Sequence, residues 1–482
     1  MSILEQYEPK EALHYFEELA AIPHGSGNVK AISDYCVAFG KEHHLEVHQD
    51  QLYNVIMAKD ATPGYEDVDP IIIQGHLDMV CEKTLDSPID FLKDGLDLQT
   101  DGEWVWANGT TLGGDDGIAI AFALAILASD NLEHPRIETV FTVDEEIGLL
   151  GAAEIDLSML KGKKMINIDS EEEGIITVSC AGGLSLIGTI PMEYKKKRGT
   201  VVEVSVTGML GGHSGCEIHK EHGNSNQVMG RTLFEVSKEV KFKVVTMAGG
   251  SKDNAIPRHT TATVLVKAGD AEAFMAAVEK QSKILAHEYA SSDPDIKVVC
   301  ETKKEERRMA LKKSSQKKLL NALMNMPNGV QNWSMDIPGL VETSLNMGIM
   351  VLDKEGLKMS FAIRSSKATA IDYLTDRTGA MIESMGGSYT INGAYPGWEY
   401  KKDSELRETF VRVYESLFGE KPKVEAIHAG LECGLLSDKI DGLDAVSIGP
   451  DMKDVHTYTE KLNIPSTKRT WDLVVKVIAT KN

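Results

Sequence analysis

No CxxC pair occurs in the sequence: its six cysteines, Cys36, Cys81, Cys180, Cys216, Cys300 and Cys433, are scattered along 482 residues. Such spacing excludes a disulfide framework and a zinc knuckle, and makes free thiols in a reducing cytoplasm the expectation. Long apolar runs are missing too. The longest, Gly117–Ala128 (GIAIAFALAILA), falls short of the roughly 20 residues that cross a bilayer. The opening MSILEQYEPKEAL has no basic region followed by an apolar stretch, so no secretory signal is visible and no membrane partner is expected. Basic charge is scarce: 51 Lys and Arg stand against 73 Asp and Glu, a formal net charge of −22. A field of that sign repels a phosphate backbone and disfavours nucleic acid as a partner. The remaining composition, 42% hydrophobic and 26% charged, is that of a globular chain. At about 150 residues per domain it has room for roughly three domain-sized units.

Residues 5–45 carry apolar positions at helical spacing around Leu13, Phe16 and Leu19. Four short runs rich in Val and Ile then stand out: PIIIQG (70–75), ETVFTV (138–143), KMINI (164–168) and DAVSIG (444–449). Continuous apolar runs of this length suit parallel strands buried on both faces. The Gly117–Ala128 run suits a buried crossover helix between two of them. From 187 to 400 the texture changes to alternating strand patterns (VVEVSV at 201–206, TATVLV at 261–266, LKMSFAI at 357–363), with helical patterns at 271–289 and 370–384 and a basic polar stretch at 303–318. The expected fold is therefore α/β. A discontinuous catalytic domain (1–186 and 401–482), with a mostly parallel sheet flanked by helices, is interrupted by an α+β domain at 187–400. The insert is long enough for two α+β lobes.

The residues just past each run carry the chemistry. After PIIIQG comes His76-Leu77-Asp78, after ETVFTV comes Asp144-Glu145-Glu146, after KMINI comes Asp169, and a short loop after DAVSIG leads to His456. Asp115 and Asp116 precede the buried helix. Ligands of open α/β sheets bind beyond the carboxyl ends of the strands, where all these groups would meet. Taken singly the pieces are ordinary: an HxD at a strand end, an acidic pair at a helix start, an Asp as N-cap. Together, two imidazoles and several carboxylates form a donor set for first-row divalent metals, best suited to Zn²⁺, and the ligand count suggests two ions. Of the adjacent Glu145 and Glu146, one can bind metal while the other serves as a general base. Asp78 is expected to hold the second ring nitrogen of His76. Gly113-Gly114 before a helix lacks the Lys and spacing of a phosphate loop.

IIIQGHLDMV (71–80), TTLGGDDGIAIA (110–121), DEEIGLLGA (144–152), INIDSEEEG (166–174), GGHSG (211–215) and HAGLECG (428–434) together resemble the co-catalytic zinc metallopeptidases that include glutamate carboxypeptidase, aminoacylase and the carnosinases. The resemblance covers nearly the whole chain. It implies two Zn²⁺ ions, with Co²⁺ or Mn²⁺ as substitutes. His76 and Asp169 would complete one site, Glu146 and His456 the other, and Asp115 would bridge them. Glu145 would be the general base and Asp78 its supporting carboxylate. Asp116 stands where many relatives carry Asn and is not taken as a ligand.

The same resemblance makes the insert a lid. It implies that His213 stabilises the tetrahedral oxyanion, that Asn254 and Arg364 grip the substrate carboxylate, and that Gly430 lies near the substrate. In many relatives the lid histidine comes from a partner subunit. An enlarged insert such as this one takes the partner's place in some members, so the chain is expected to complete its own site, with a homodimer left open. The implied substrates are small peptides, specifically dipeptides with a free C-terminus and histidine preferred there, such as β-Ala-His. A broader di- or tripeptidase and an N-acyl amino acid deacylase share the same metal set. A catalytically inactive relative would usually have lost a ligand or the base, and none is missing here.

Overall fold

The computed structural model describes residues 2–481. The chain falls into two compact units, one formed by Met1–Ser179, Tyr400–Ala426 and Leu431–Asn482, the other by Cys180–Glu399 with the short return Ile427–Gly430. The terminal residues 1 and 482 lie outside the described residues. The crossing at Ser179 precedes the expected boundary at 186/187, because the strand Gly182–Ile190 pairs within the second unit's sheet.

Four parallel strands form the heart of the first unit. These are β1 (Ile71–His76), β2 (Ile137–Thr142), β3 (Lys164–Asn167) and β4 (Asp444–Ser447), side by side in the order β2-β1-β3-β4. An antiparallel strand, Val55–Lys59, covers the outer edge of β2. Every residue of β1, β2 and β4 is buried, which is why their sequences read as apolar runs instead of alternating. Burial of Ile71, Ile72 and Ile73 contributes about 1.5–3 kcal/mol each. Helix α1 (Gly114–Ala128) packs against β1 and the helix Lys10–Ala20, and is buried from Asp116 to Leu127. Helix α2 (Glu432–Lys439) follows the return segment.

The expected helical region at 5–45 is broken. Helices span Lys10–Ala20 and Lys30–Glu42, and Pro23, Gly25 and Gly27 interrupt the pattern between them. The break has a use: Ser26 Oγ donates to Asp78 at 2.8 Å and the Gly27 N–H to Asp144 at 2.6 Å.

The second unit is built on a nine-stranded sheet whose pairings are antiparallel. Phe242–Gly249 and Val341–Asp353 share three paired positions at its middle, joining one group of strands to the other edge to edge. Helices Ser225–Glu239, Ala271–Glu288, Lys313–Asn325 and Ala368–Ser384 enclose an apolar core that includes Leu233, Phe274, Leu323, Phe361 and Ile382. The basic stretch at 303–318 ends the edge strand Lys297–Leu311 and opens the helix after it. Its charges pair with acids along the edge, as in Lys303–Glu301 and Arg308–Glu306, which blunts strand addition.

Candidate metal centre and substrate-binding groups

Because β1 to β4 run parallel, their carboxyl ends share one edge, and the register places His76 opposite Thr142 and Asn167 opposite Ser447. The His76 ring donates from Nδ1 to the backbone carbonyl of Asp78 at 2.9 Å, which turns Nε2 toward the acidic cluster. That nitrogen lies 3.0 Å from Asp115 Oδ1 and 3.9 Å from Asp169 Oδ1. On the other side, His456 Nε2 lies 3.1 Å from Asp115 Oδ2 and 2.8 Å from Glu146 Oε1. Asp115 thus turns one carboxylate oxygen to each imidazole. Three groups have donor atoms within 4.8 Å of one another: His76, Asp116 and Asp169; His76, Glu145 and Glu146; Asp115, Glu146 and His456.

The carboxylate of Asp78 does something other than expected. The hydrogen bond to His76 comes from its backbone, and its Oδ1 stands 3.6 Å from Nδ1. Its oxygens instead accept the N–H groups of Glu145 at 3.0 Å and Glu146 at 3.4 Å. Asp78 therefore fixes the turn that carries the acidic pair. Asp144 enters that turn with φ 55°, and His456 sits in its own loop with φ 63°. Both are left-handed conformations that side-chain-bearing residues adopt where the surroundings hold them.

Electrostatics show what the cluster needs. Burial works to raise the Asp115 carboxyl, but hydrogen bonds and charge from His456 and His76 hold it below the usual carboxylate range. Burial, then the charge of Asp115, pushes Asp169 well up; burial, then Asp169, does the same to Asp116. Burial raises Glu145 to about 8. His456 is lifted to about 10 by its hydrogen bonds to Asp115 and Glu146. Among the described residues no Lys or Arg pairs with these carboxylates, and buried Asp116 Oδ1 has no hydrogen-bond partner. A carboxylate-rich, imidazole-bearing cluster paired with no Lys or Arg among the described residues fits divalent metal ions.

Sequence reasoning missed Glu432. It is fully buried and accepts hydrogen bonds from Gln74 Nε2 and, at 2.6 Å, from Thr142 Oγ1, so it ties α2 to β1 and β2 beneath the cluster. The signal lies inside HAGLECG, a motif in which the resemblance points to Gly430 alone.

In the second unit, His213 forms the two-residue strand Gly212–His213, paired with Ala255 beside the exposed Asn254. The Asn254 carbonyl accepts the Ser214 N–H at 2.8 Å. The N–H groups of Cys216, at 3.1 Å, and Gly215, at 3.3 Å, donate to His213 Nδ1. The proton of the neutral ring therefore sits on Nε2. Burial and the Arg364 charge keep the ring neutral by lowering its pKa. Arg364 donates to Tyr395, and a Cβ on Gly430 would fall 2.8 Å from the same tyrosine ring, so this position admits only hydrogen. His428, also missed, shares a hydrogen bond with Ser344 Oγ at 2.7 Å; burial, then the Arg364 charge, lowers it to about 3.

A split parallel sheet with paired imidazole and carboxylate groups at its carboxyl edge is the architecture of a metal-dependent hydrolase. The chain belongs to Peptidase family M20/M25/M40, whose pattern matches residues 72–480. It is 35% identical to the cytosol non-specific dipeptidase of Escherichia coli K12, over 99% of each chain. The crystal structure of aminoacylhistidine dipeptidase from Vibrio alginolyticus superposes with a TM-score of 0.95 at 35% identity, covering 99% of this chain and 98% of that one. An aminopeptidase PepT from Bacillus cereus shares the fold, with a TM-score of 0.56 at 16% identity over 98% of both chains.

Proposed function

We propose that this chain is a dinuclear-metal dipeptidase that accepts Xaa-His dipeptides among its substrates. The observation that carries the reading is the Asp115 carboxylate, with one oxygen facing each of two imidazoles. His76 and Asp169 would hold one ion, Glu146 and His456 the other, and Asp115 both, with Zn²⁺ best suited and Co²⁺ or Mn²⁺ as substitutes. A pair of such ions, when bound, polarises a carbonyl and ionises water near neutral pH. Glu145 moves the proton: its carboxyl takes one from the attacking water and returns it to the leaving amine nitrogen. A carboxylate oxygen of Glu145 within 4.8 Å of donor atoms of His76 and Glu146 supports that role. His213 offers the Nε2 proton to the developing oxyanion, and Arg364, with Asn254, receives the substrate carboxylate in its planar fork.

The names of the two relatives at 35% identity support dipeptide hydrolysis, one as a non-specific dipeptidase and one as an aminoacylhistidine dipeptidase. The first name also supports a cytosolic location, and among the described residues no helix is long and apolar enough to cross a membrane. The deciding experiment offers Ala-His, β-Ala-His, Gly-Gly-Gly and acetyl-Met to the metal-loaded protein before and after chelation. Both dipeptides should be cleaved, with activity lost on chelation and restored by Zn²⁺. Cleavage of acetyl-Met alone would make it a deacylase, Gly-Gly-Gly alone a tripeptidase, and no turnover of any an inactive metal-binding relative.

A further inference from the structure

The loop that presents His456 runs between two short paired strands, Met452–Lys453 and Lys461–Asn463. From Lys453 to Thr459 its side chains are exposed or half-buried. Glu460, at its foot, is the exception, with 3% exposure. Its carboxylate reaches the turn that opens α1. Oε2 accepts the N–H of Leu112 at 2.7 Å and of Gly113 at 3.2 Å, and Oε1 accepts that of Gly114 at 2.8 Å. Gly113 has φ 68°, and a Cβ on Gly114 would stand 3.2 Å from Oε1. The two glycines thus let three successive N–H groups converge on one carboxylate, an anion cradle filled from within the chain. The next residue is Asp115, whose Oδ2 lies 3.1 Å from His456 Nε2.

We propose that Glu460 is a positioning residue for the ion held by Glu146, His456 and Asp115. By locking the Leu112–Gly114 turn to the His456 loop, it sets the separation of Asp115 Oδ2 and His456 Nε2. The His76–Asp169 pair depends instead on the ends of β1 and β3. The inference rests on the dinuclear reading above. Groups that orient metal ligands typically govern affinity by about 10–100-fold. A glutamine at 460 keeps one acceptor oxygen but puts an NH₂ group against a backbone N–H, and an alanine leaves three N–H groups without their acceptor.

The test is a Co²⁺ titration of metal-free protein, followed by visible absorption and by metal analysis after equilibrium dialysis. The unaltered chain should take up two ions. Glu460→Ala should weaken the site of Glu146 and His456 by about 10–100-fold and Glu460→Gln by less, with the other site, which shares only Asp115, weakened far less. His456→Ala marks the affected site, so adding Glu460→Ala to it should lower the remaining affinity by much less than about 10-fold. Equal weakening of both sites would mean a merely structural role, and no weakening would mean none; either overturns the proposal. Should Glu460→Ala fail to fold, Glu460→Gln and Glu460→Asp carry the same comparison. Fewer than two ions in the unaltered chain would instead bring down the dinuclear reading, and this inference with it.

Discussion

Arg364 donates from Nη1 to the Tyr395 hydroxyl oxygen at 2.8 Å, while its buried Nε has no hydrogen-bond partner among the described residues. A guanidinium pinned at one corner keeps the rest of its fork ready for a carboxylate. Tyr395→Phe removes the pin. A hydrogen bond to a charged group is worth about 1.5–3 kcal/mol, so KM for Ala-His should rise about tenfold or more while kcat changes little. Arg364→Ala should raise KM further. The amide of Ala-His, which lacks the carboxylate, should not distinguish the variants from the unaltered enzyme. Steady-state kinetics with both substrates checks this, and an unchanged KM for Ala-His would remove Tyr395 and Arg364 from the substrate's carboxylate.

The split of Asp115 between His76 and His456 predicts a stoichiometry. Each imidazole touches a different oxygen of that carboxylate, at 3.0 and 3.1 Å. Metal analysis of His76→Ala and His456→Ala should each find about one tightly held ion in place of two, whereas Asp115→Ala should weaken both. Two ions retained at full affinity in either histidine variant would separate that imidazole from the metals.

The parallel core and its chemistry are legible in the sequence because the constraint is severe. Strands buried on both faces become the Ile- and Val-rich runs of β1 to β4, and the polar residues just after them have one edge to occupy. Asp78 lies where the spacing puts it, but its carboxylate has other partners than the expected ring nitrogen. Spacing sets which side of a strand a side chain takes, not whether a backbone carbonyl will reach the ring first. Glu432 and Glu460 escape a sequence reading for a related reason. Each acts on groups hundreds of positions away in sequence, Gln74 and Thr142 for one and Leu112 to Gly114 for the other, and no local pattern reports such a partner.

Glu145 and Glu146 are neighbours for which separate tasks are proposed, and substitution should part them. Glu146 Oε1 lies 2.8 Å from His456 Nε2, in the group with Asp115. Glu145→Gln should keep two metal ions and lose about 10²–10⁴ in kcat on Ala-His, as expected when a positioned acid–base group is removed. Glu146→Gln should lose metal as well as rate. Metal content measured beside kcat on the same preparations decides between the roles. A Glu145→Gln enzyme with near-normal kcat would falsify the assignment of the base.

Protonation of the cluster gives the metal-free chain an unusual pH response. Burial raises Glu145 to about 8, Asp169 and Asp116 are also held well above the usual carboxylate range by burial and by neighbouring carboxylates, and hydrogen bonds to Asp115 and Glu146 lift His456 to about 10. Each binds its proton more tightly folded than unfolded, so its contribution is complete below the unfolded pKa and fades as pH climbs through the folded value. For a group protonated when folded and ionised when unfolded, the loss is about 1.4 kcal/mol per pH unit. Asp115, held low, runs the opposite way, and its contribution is lost only in strong acid. In excess chelator, the unfolding temperature should therefore fall between about pH 5.5 and pH 8, and fall less in Glu145→Gln, which has no such proton to lose. Saturating Zn²⁺ should reverse the trend, because the ion displaces those protons and binds more tightly as they become easier to remove. Calorimetry of both proteins with and without the ion measures all four slopes. Identical slopes for the two chelated proteins would show that Glu145 is already ionised in the folded metal-free chain.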